Sequence, residues 1–168
     1  KRLVKEVLAG LKAAGEQGYV PAYIGIDTWA VDYALLDKDG VLLGDIYSYR
    51  DGRTDLSADK VHDIISFDKL YSRTGIQFQP FNTIYQLYAD KMSGRLNGAK
   101  YFLMLPDYLG YMLTGIKKQE YTNTTSTGMV NASTHKWDAD IIKSLGFDAN
   151  LFGELSQPGT FVGGLKKE

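Results

Sequence analysis

The sequence contains no cysteine and only two histidines among its 168 residues. The absence of cysteine excludes a disulfide framework, a thiolate metal site and a cysteine nucleophile, and it is compatible with a cytoplasmic location. The 19 Lys and Arg side chains nearly balance the 20 Asp and Glu side chains, so the chain lacks the one-sided basic field that binds nucleic acid and anionic membranes. No apolar run approaches the roughly 20 residues that span a bilayer. We therefore expect no nucleic-acid partner and no membrane partner.

The usual signatures of metal, nucleophile and phosphate sites are also missing. His62 falls in an amphipathic helical pattern and His135 in a polar segment, without the spacing of zinc or calcium motifs, so we predict no metal site. There is no G-x-S-x-G elbow, although spacing alone leaves a Ser-His-Asp triad open. Neither G-x-x-x-x-G-K-[ST] nor G-x-G-x-x-G occurs. Spacing alone therefore predicts no catalytic residue in this chain.

Apolar and aromatic residues are plentiful: 44% of the chain is hydrophobic, with 12 Tyr and 7 Phe, as is typical of a folded domain with a core. Leu and Val at helical spacing predict a helix over Lys1–Gly15. Apolar runs predict buried strands over Tyr23–Asp27 and Val31–Leu36. Asp37–Gly40 predicts a hairpin turn, because Asp-Gly tolerates positive φ, and a third strand is predicted over Val41–Tyr49.

From Ser57 onward the pattern is mostly helical, so we expect an α/β fold with a mixed sheet plus helices. Capping residues, Pro106 in a first turn and glycines at helix ends support four helices. The first of them has Ser57 as its expected N-cap, and the second covers Thr83–Met92 with Asn82 as its expected N-cap. The other two cover Leu105–Gly115 and Ala139–Leu145. The segment Glu120–Asp138, rich in Thr, Ser and Asn, is predicted to be irregular or extended.

Polar and aromatic residues cluster at three places where predicted elements end: "DTWAVD", "YRDGRT" and "GIQFQPFNT". Aromatic rings that cover apolar sugar faces, with Asp, Asn, Gln and Arg that bond hydroxyls, are typical of sugar sites. Structural roles remain open for the same residues. Asp27 and Asp32 could cap the link between strands, and Arg50, Asp51 and Arg53 could form an ion-pair cluster. Phe78 and Phe81 could belong to the core.

The sequence resembles the rhamnulokinases, a branch of the FGGY carbohydrate kinase family. Four stretches carry the resemblance, in the order and with the spacing found in that family. They are "IGIDTWAVDYALLDKDGVLLGDIYSYRDGRTD", "YSRTGIQFQPFNTIYQLYAD", "FLMLPDYLGYMLTG" and "EYTNTTSTGMVN", the last followed by "WDADIIKSLG". The pairing of "GIDTW.VD" with "GIQF.PFNT" is specific to this branch, whereas other branches share only the general pattern.

The resemblance implies an actin-like, ribonuclease-H-like domain of a sugar kinase, incomplete because the first strands are missing. Residues 1–168 would form part of an N-terminal kinase domain on the sugar side. The Gly-rich ATP hairpin would precede residue 1, and a C-terminal domain with the catalytic Asp would follow residue 168. ATP and Mg would thus be bound mainly by parts absent from this chain. No Asp present would be the catalytic base, and we expect the isolated chain to be inactive.

In the resembling enzymes a small residue, usually Gly, follows "DTW", and its main chain approaches the sugar. Ala30 holds that place here, so its φ is expected to be ordinary and the approach slightly looser. The resemblance implies ATP-dependent phosphorylation of L-rhamnulose to L-rhamnulose 1-phosphate. Two alternatives are a kinase for another ketose or polyol, and a non-catalytic sugar-binding module. Among the polar and aromatic groups at the element ends, we expect the substrate-binding residues to be Thr28, Trp29, Ala30, Tyr49, Arg50, Gln77 and Phe78.

Overall fold

A computed structural model describes residues 2–166 of the chain. Seven α-helices and six short strands are present in that range. The helices are α1 (Arg2–Glu16), α2 (Ser57–Ile64), α3 (Phe67–Thr74), α4 (Thr83–Ser93), α5 (Leu105–Thr114), α6 (Tyr121–Thr125) and α7 (Ala139–Ser144). The strands are β1 (Tyr33–Leu36), β2 (Tyr101–Met104), β3 (Gln119–Glu120), β4 (Val130–Asn131), β5 (Lys136–Trp137) and β6 (Leu155–Ser156). Among these helices, none combines the length and the apolarity needed to cross a bilayer.

The central sheet pairs β1 with β2 in antiparallel register, with Tyr33 opposite Met104 and Leu36 opposite Tyr101. On its other edge, β1 continues through the expected hairpin, where Gly40 has φ +78°. The returning chain makes one bridge between Leu36 and Leu42. Two further strand pairs lie apart from this sheet: β3 is parallel to β6, and β4 is antiparallel to β5.

Both faces of the central sheet are covered by helices, because successive side chains of a strand point to opposite faces. One face carries Tyr33, Leu35, Phe102 and Met104, and it packs with Val61 of α2, Ile84 and Leu87 of α4, and Ile141 and Ile142 of α7. The other face carries Ala34, Leu36 and Leu103, and it packs with Tyr108 of α5 and Val4 of α1. A sheet between two helical layers is the predicted α/β architecture.

Several predicted boundaries are confirmed by the structure. α1 ends at Glu16, although Lys1 lies outside the described residues. α4 and α5 begin at Thr83 and Leu105, and each ends before a glycine in the left-handed region. Those glycines are Gly94 and Gly115, and they close the helices as αL caps do. α7 ends at Ser144, one residue before the predicted end.

Two predicted strands are wrong. Tyr23–Asp27 is not a strand, and Tyr23 is 86% exposed. No described residue supplies a backbone ladder to this segment, and an apolar run without a pairing partner cannot become a strand. Val41–Tyr49 pairs with β1 only through the bridge at Leu42 and the bond from the Leu43 amide to the Leu35 carbonyl, so it forms no strand.

The helical half departs from prediction in three places. Ser57 is the first helical residue rather than the N-cap, and its hydroxyl donates to the carbonyl of Thr54 at 3.0 Å. Asn82 is the N-cap of α4, but its side chain donates to the Gln77 carbonyl instead of accepting from the helix. The segment Glu120–Asp138 was predicted to be irregular or extended. The β4–β5 hairpin agrees with this prediction, but the short helix α6 does not. α3 and β2 were not predicted.

Candidate functional site

The "DTWAVD" link turns sharply immediately before β1. The amide of Asp32 donates to the carbonyl of Ala30 at 3.0 Å, and the residue between them, Val31, has φ +68°. This is a γ-turn of positive φ, the rare and strained form. Positive φ is a genuine outlier for a β-branched residue and costs about 1–3 kcal/mol. Ala30 itself is not in the positive-φ region, as its side chain led us to expect.

The strained turn is fixed from the neighbouring helix α4. The Val31 carbonyl accepts a hydrogen bond from Thr83 Oγ1 at 2.8 Å and another from Gln86 Nε2 at 3.2 Å. All three residues are buried, with at most 6% of their surface exposed. A carbonyl held by two buried donors cannot rotate without leaving those donors unpaired, which costs about 1–3 kcal/mol for each. The N-terminal half of α4 therefore locks the shape of the link.

A buried carboxylate joins the link to the segment that follows the hairpin. Asp32, only 2% exposed, accepts a hydrogen bond from Trp29 Nε1 at 2.7 Å and another from the Tyr49 amide at 2.8 Å. Burial raises the pKa of Asp32 above its usual value, although the hydrogen bonds from Trp29 and Tyr49 and the charge of Arg53 oppose that rise. Asp32 thus brings Trp29, Ala30 and Tyr49 together at one place on the surface.

An aromatic contact extends this surface towards a polar cleft. The ring of Tyr49 packs against that of Phe81 with centroids 5.1 Å apart, and Arg50 Nε donates to Tyr49 Oη at 3.0 Å. Phe81 lines a cleft of about 580 Å³ whose walls carry amides, hydroxyls and aromatic rings but no charged side chain. Its lining residues are Tyr71, Gly75, Ile76, Gln77, Gln79, Phe81, Asn82, Thr125 and Ser126. Neutral donors and acceptors beside aromatic rings suit a neutral, hydroxyl-rich ligand.

A second, mostly apolar cleft of about 330 Å³ lies on the other side of the link. Thr28, Trp29 and the preceding residues 24–27 form one wall. α1 and α5 form the opposite wall through Leu3, Val7, Leu109 and Leu113. The indole of Trp29, 51% exposed, is therefore accessible beside this cleft while its Nε1 remains fixed on Asp32.

The segment after the hairpin is held by a buried ionic network around Asp90 of α4. Asp90, 1% exposed, accepts a hydrogen bond from Tyr33 Oη at 2.6 Å and pairs with Arg95 at 3.1 Å and Arg53 at 3.8 Å. Arg53 also pairs with Asp51 at 3.6 Å. The predicted ion-pair cluster is therefore right for Asp51 and Arg53. Arg50 is not part of it, because it is exposed and its guanidinium donates to the hydroxyl of Tyr49.

The structure distributes the expected substrate-binding residues unevenly. Thr28, Trp29, Ala30 and Tyr49 adjoin the link, and Gln77 lines the polar cleft. Phe78 instead joins an aromatic cluster with His62, Phe67 and Tyr85, and it is 44% exposed. His62 lies 3.1 Å from Tyr85 Oη, so one of its ring nitrogens already has a protein partner.

Most residues that line the polar cleft were not among the expected ones, for example Phe81, Thr125 and Ser126, and neither was Asp32 beside the link. Asp32 and Phe81 lay in stretches proposed for the sugar site, with a role as a cap and a role in the core left open for them. A signal was available for Asp32, because two carboxylates flank a Trp within six residues. For Thr125 and Ser126 the only signal was the polar composition of their segment, which does not show which cleft they reach.

Among residues 2–166, no three Asp, Glu or His side chains lie close enough together to hold a metal ion. The sequence also lacks a Gly-rich phosphate loop, as noted above. The uncharged lining of the polar cleft can hold and orient a neutral polar ligand.

Comparison with known proteins decides the family. A family model described as the N-terminal domain of the FGGY family of carbohydrate kinases matches residues 3–168. The chain belongs to this family. It is 50% identical to a rhamnulokinase of Oceanobacillus iheyensis and 51% identical to one of Halalkalibacterium halodurans, over 99% of this chain in each case. The match covers 36% of either relative, so this FGGY chain spans about a third of their length.

Solved structures of sugar kinases share the fold of this FGGY domain. A xylulose kinase from Rhodospirillum rubrum superposes with a TM-score of 0.86 at 18% identity, covering 97% of this chain and 35% of that one. A gluconate kinase from Lactobacillus acidophilus gives a TM-score of 0.80 at 21% identity, covering 89% of this chain and 31% of the other. At such identities the likeness establishes the actin-like sugar-kinase fold.

Proposed function

We propose that this chain forms the sugar-binding side of an ATP-dependent kinase that phosphorylates L-rhamnulose to L-rhamnulose 1-phosphate. The observation that carries the proposal is the 50% identity to a rhamnulokinase over 99% of the chain, which includes the link and the polar cleft. The full reaction would belong to rhamnose catabolism. Because the reaction needs ATP, we place the protein in the cytoplasm.

The geometry supports sugar binding at the link. Ala30 is exposed, whereas its successors Val31 and Asp32 are buried and hydrogen-bonded. A ligand can therefore approach the Ala30 main chain, which cannot move away from it. The neighbouring Trp29 and Tyr49 rings offer apolar faces, and the uncharged cleft containing Gln77 offers partners for hydroxyl groups.

The rest of the protein would supply the transfer chemistry. Phosphoryl transfer to a primary hydroxyl needs a carboxylate base, in-line geometry and stabilisation of the phosphate charge. We propose that residues 1–168 are part of the N-terminal domain, with an ATP hairpin before residue 1 and a C-terminal domain with the catalytic Asp after residue 168. Those parts would bind ATP and Mg. Closure of the two domains over the sugar would exclude water from the reaction.

The test is phosphorylation of a sugar panel by the full-length protein, measured as ADP release. L-rhamnulose, D-xylulose, L-ribulose, glycerol and gluconate should be compared by kcat/KM. We expect the highest value for L-rhamnulose and a stoichiometric 1-phosphate product. A higher kcat/KM for another ketose or a polyol would support the alternative of a kinase with different specificity. Sugar binding without ADP release from any substrate would support a non-catalytic module.

A second measurement separates the role of this chain from that of the whole protein. Residues 1–168 alone should release no ADP with any of these sugars above a mock-purified control, because the proposal places the nucleotide site in other parts of the protein. Activity of the isolated chain would contradict the proposed division of labour between its parts.

A further inference from the structure

Asp32 is the only described carboxylate that bonds to two of the surface segments expected to meet the sugar. Its Oδ2 accepts from the indole of Trp29, before the γ-turn, and its Oδ1 accepts from the amide of Tyr49, beyond the hairpin. Tyr49 lies 17 residues further along the chain. Since Asp32 is 2% exposed, water does not compete for these bonds.

The turn beside Asp32 needs such support. Val31 holds a positive φ that its branched side chain disfavours, and a strained residue persists only where its surroundings over-determine it. Thr83 and Gln86, both on α4, donate hydrogen bonds to the Val31 carbonyl. Asp32 supports the turn separately, by accepting hydrogen bonds from Trp29 and Tyr49. Without Asp32, Trp29 and Tyr49 would lose the acceptor that they share beside the turn.

We infer that Asp32 is a positioning residue, whose carboxylate fixes the Trp29 indole and the Tyr49 main chain on either side of Ala30 and so presents the Ala30 main chain to the sugar. This inference rests on the proposed function, in that the ligand is taken to be a sugar bound along the link. Asp32 itself does not face the ligand, because both of its oxygens are directed to protein donors.

The chemistry requires a carboxylate rather than an amide at this position. Both partners of Asp32 are N–H donors, and a carboxylate offers an acceptor to each. Asn would offer one oxygen acceptor, and its NH2 group would face the other donor. One of the two bonds would therefore be lost and replaced by a buried donor–donor contact, while the volume of the side chain stays almost unchanged.

The experiment is steady-state kinetics of the full-length protein with Asp32→Asn. We expect KM for the ketose to rise about tenfold or more, KM for ATP to stay within about twofold, and the melting temperature to stay within a few degrees of the parent. A control of the same substitution type is Asp37→Asn at the other end of β1, where Oδ1 of Asp37 accepts the amides of Asp39 and Val41 within the hairpin turn. The control should leave both KM values unchanged.

Hydrogen exchange adds a readout that a general loss of stability would not reproduce. In Asp32→Asn, exchange should accelerate in peptides covering residues 28–33 and 47–50 and remain unchanged in α7. If the variant does not fold, Trp29→Phe removes the indole donor to Asp32 together with part of the ring. Exchange measured without sugar should then accelerate in residues 28–33, which the loss of a ring–sugar contact alone would not cause, and unchanged exchange there would overturn the inference.

The outcomes separate this inference from the proposed function. If the parent protein phosphorylates another ketose instead of L-rhamnulose, the proposed substrate is wrong, and the same variants are then assayed with that ketose. An unchanged ketose KM in an active, folded Asp32→Asn protein overturns the inference. It is equally overturned if exchange accelerates throughout the chain and both KM values rise together, because Asp32 would then be only a stabilising residue.

Discussion

Replacing Asp138 should destabilise the fold more than any other single cap in the chain. Its side chain, 2% exposed, is the N-cap of α7, where Oδ1 accepts from the amides of Asp140 and Ile141 at 3.2 and 3.1 Å. It also receives Arg73 in a two-pronged pair, with Nε at 2.7 Å and Nη2 at 2.8 Å, and Asn131 Nδ2 at 2.9 Å. One carboxylate thus joins α3, β4 and α7.

The magnitude follows from these contacts. Loss of an N-cap costs about 0.5–2 kcal/mol, and removing one partner of a buried ion pair costs about 3–5 kcal/mol. The cost here falls at the lower end, because the Arg73 side chain is 31% exposed and keeps Asp140 at 2.8 Å. We therefore expect Asp138→Ala to lower the free energy of unfolding by about 3–4 kcal/mol. At about 2–4 °C per kcal/mol for a chain of this size, the melting temperature should fall by roughly 10 °C.

The assay is thermal unfolding of the chain followed by circular dichroism, with a double-mutant cycle that adds Arg73→Met. The matched control is Asp148→Ala, which removes another Asp cap, one that bonds only to Asn150, and should cost no more than about 1 kcal/mol. Burial would raise the pKa of Asp138, but the bonds from Arg73, Asn131 and Ile141 outweigh it and lower the pKa. The stabilisation should therefore be present at neutral pH and be lost as the pH falls through that lowered pKa. Additive effects of the two substitutions, or equal effects of the Asp138 and Asp148 variants, would refute the reasoning.

Three further predictions concern other parts of the chain. In the full-length protein, Ala30→Leu should raise KM for the ketose by about five- to a hundredfold, because overpacking costs about 1–3 kcal/mol. KM for ATP and the melting temperature should stay unchanged. A lower melting temperature without a selective rise in KM for the ketose would instead assign Ala30 a role in the fold. Burial raises the pKa of Asp107 to about 7, although a hydrogen bond from the Glu120 amide opposes that rise. The unsubstituted chain should therefore lose stability as the pH rises from about 4 to 7, because in this range the carboxyl is ionised in the unfolded state but not in the folded state. Asp107→Asn should flatten that slope in melting curves recorded across this range, and an unchanged slope would contradict the raised pKa. Gly40→Ala should destabilise the chain by about 1–2 kcal/mol in urea unfolding, because Gly40 has φ +78° and a Cβ there would collide with the Tyr111 hydroxyl. An unchanged free energy of unfolding would show that the hairpin relaxes to accept the side chain.

The elements that the sequence predicted well are those with local signals at both ends. α5 has Pro106 in its first turn and Gly115 immediately after its last residue, and α4 ends before Gly94. The Asp-Gly turn after β1 likewise needs only the positive φ of Gly40. Each of these signals depends on the conformation of one or two residues, so no tertiary contact is required to interpret it.

The strands were harder to predict, because pairing is a tertiary property. Tyr23–Asp27 and Tyr33–Leu36 have similar apolar composition, yet only the second finds a partner within the described range, namely β2. β2 itself was missed because Tyr101–Met104 runs directly into α5, and the apolar residues of strand and helix form one continuous pattern. α3 was missed for a similar reason, since only Ile65 and Ser66 separate it from α2.

The candidate site was predictable as a set of segments but not as a geometry. Trp29 and Tyr49 were both expected at the ligand, because aromatic residues at element ends are a local feature. Their connection through Asp32 could not be seen, because the chain between them had first to form β1 and the hairpin. The positive φ of Val31 was equally invisible, since nothing in the side chain of a valine favours that conformation.

α4 explains how an exposed link can be rigid. This helix holds both the link and β1. Thr83 and Gln86 donate to the Val31 carbonyl in the link, and Asp90 accepts from the Tyr33 hydroxyl at the start of β1. The helix is itself fixed in the core, where Ile84 and Leu87 pack against one face of the sheet. A movement of the link would therefore require α4 to leave the core or its polar side chains to lose their partners. Both alternatives would break several hydrogen bonds or expose several buried groups at once, so the strain at Val31 is retained in the folded state. The exposed main chain of Ala30 therefore has a fixed position that its own local sequence does not specify.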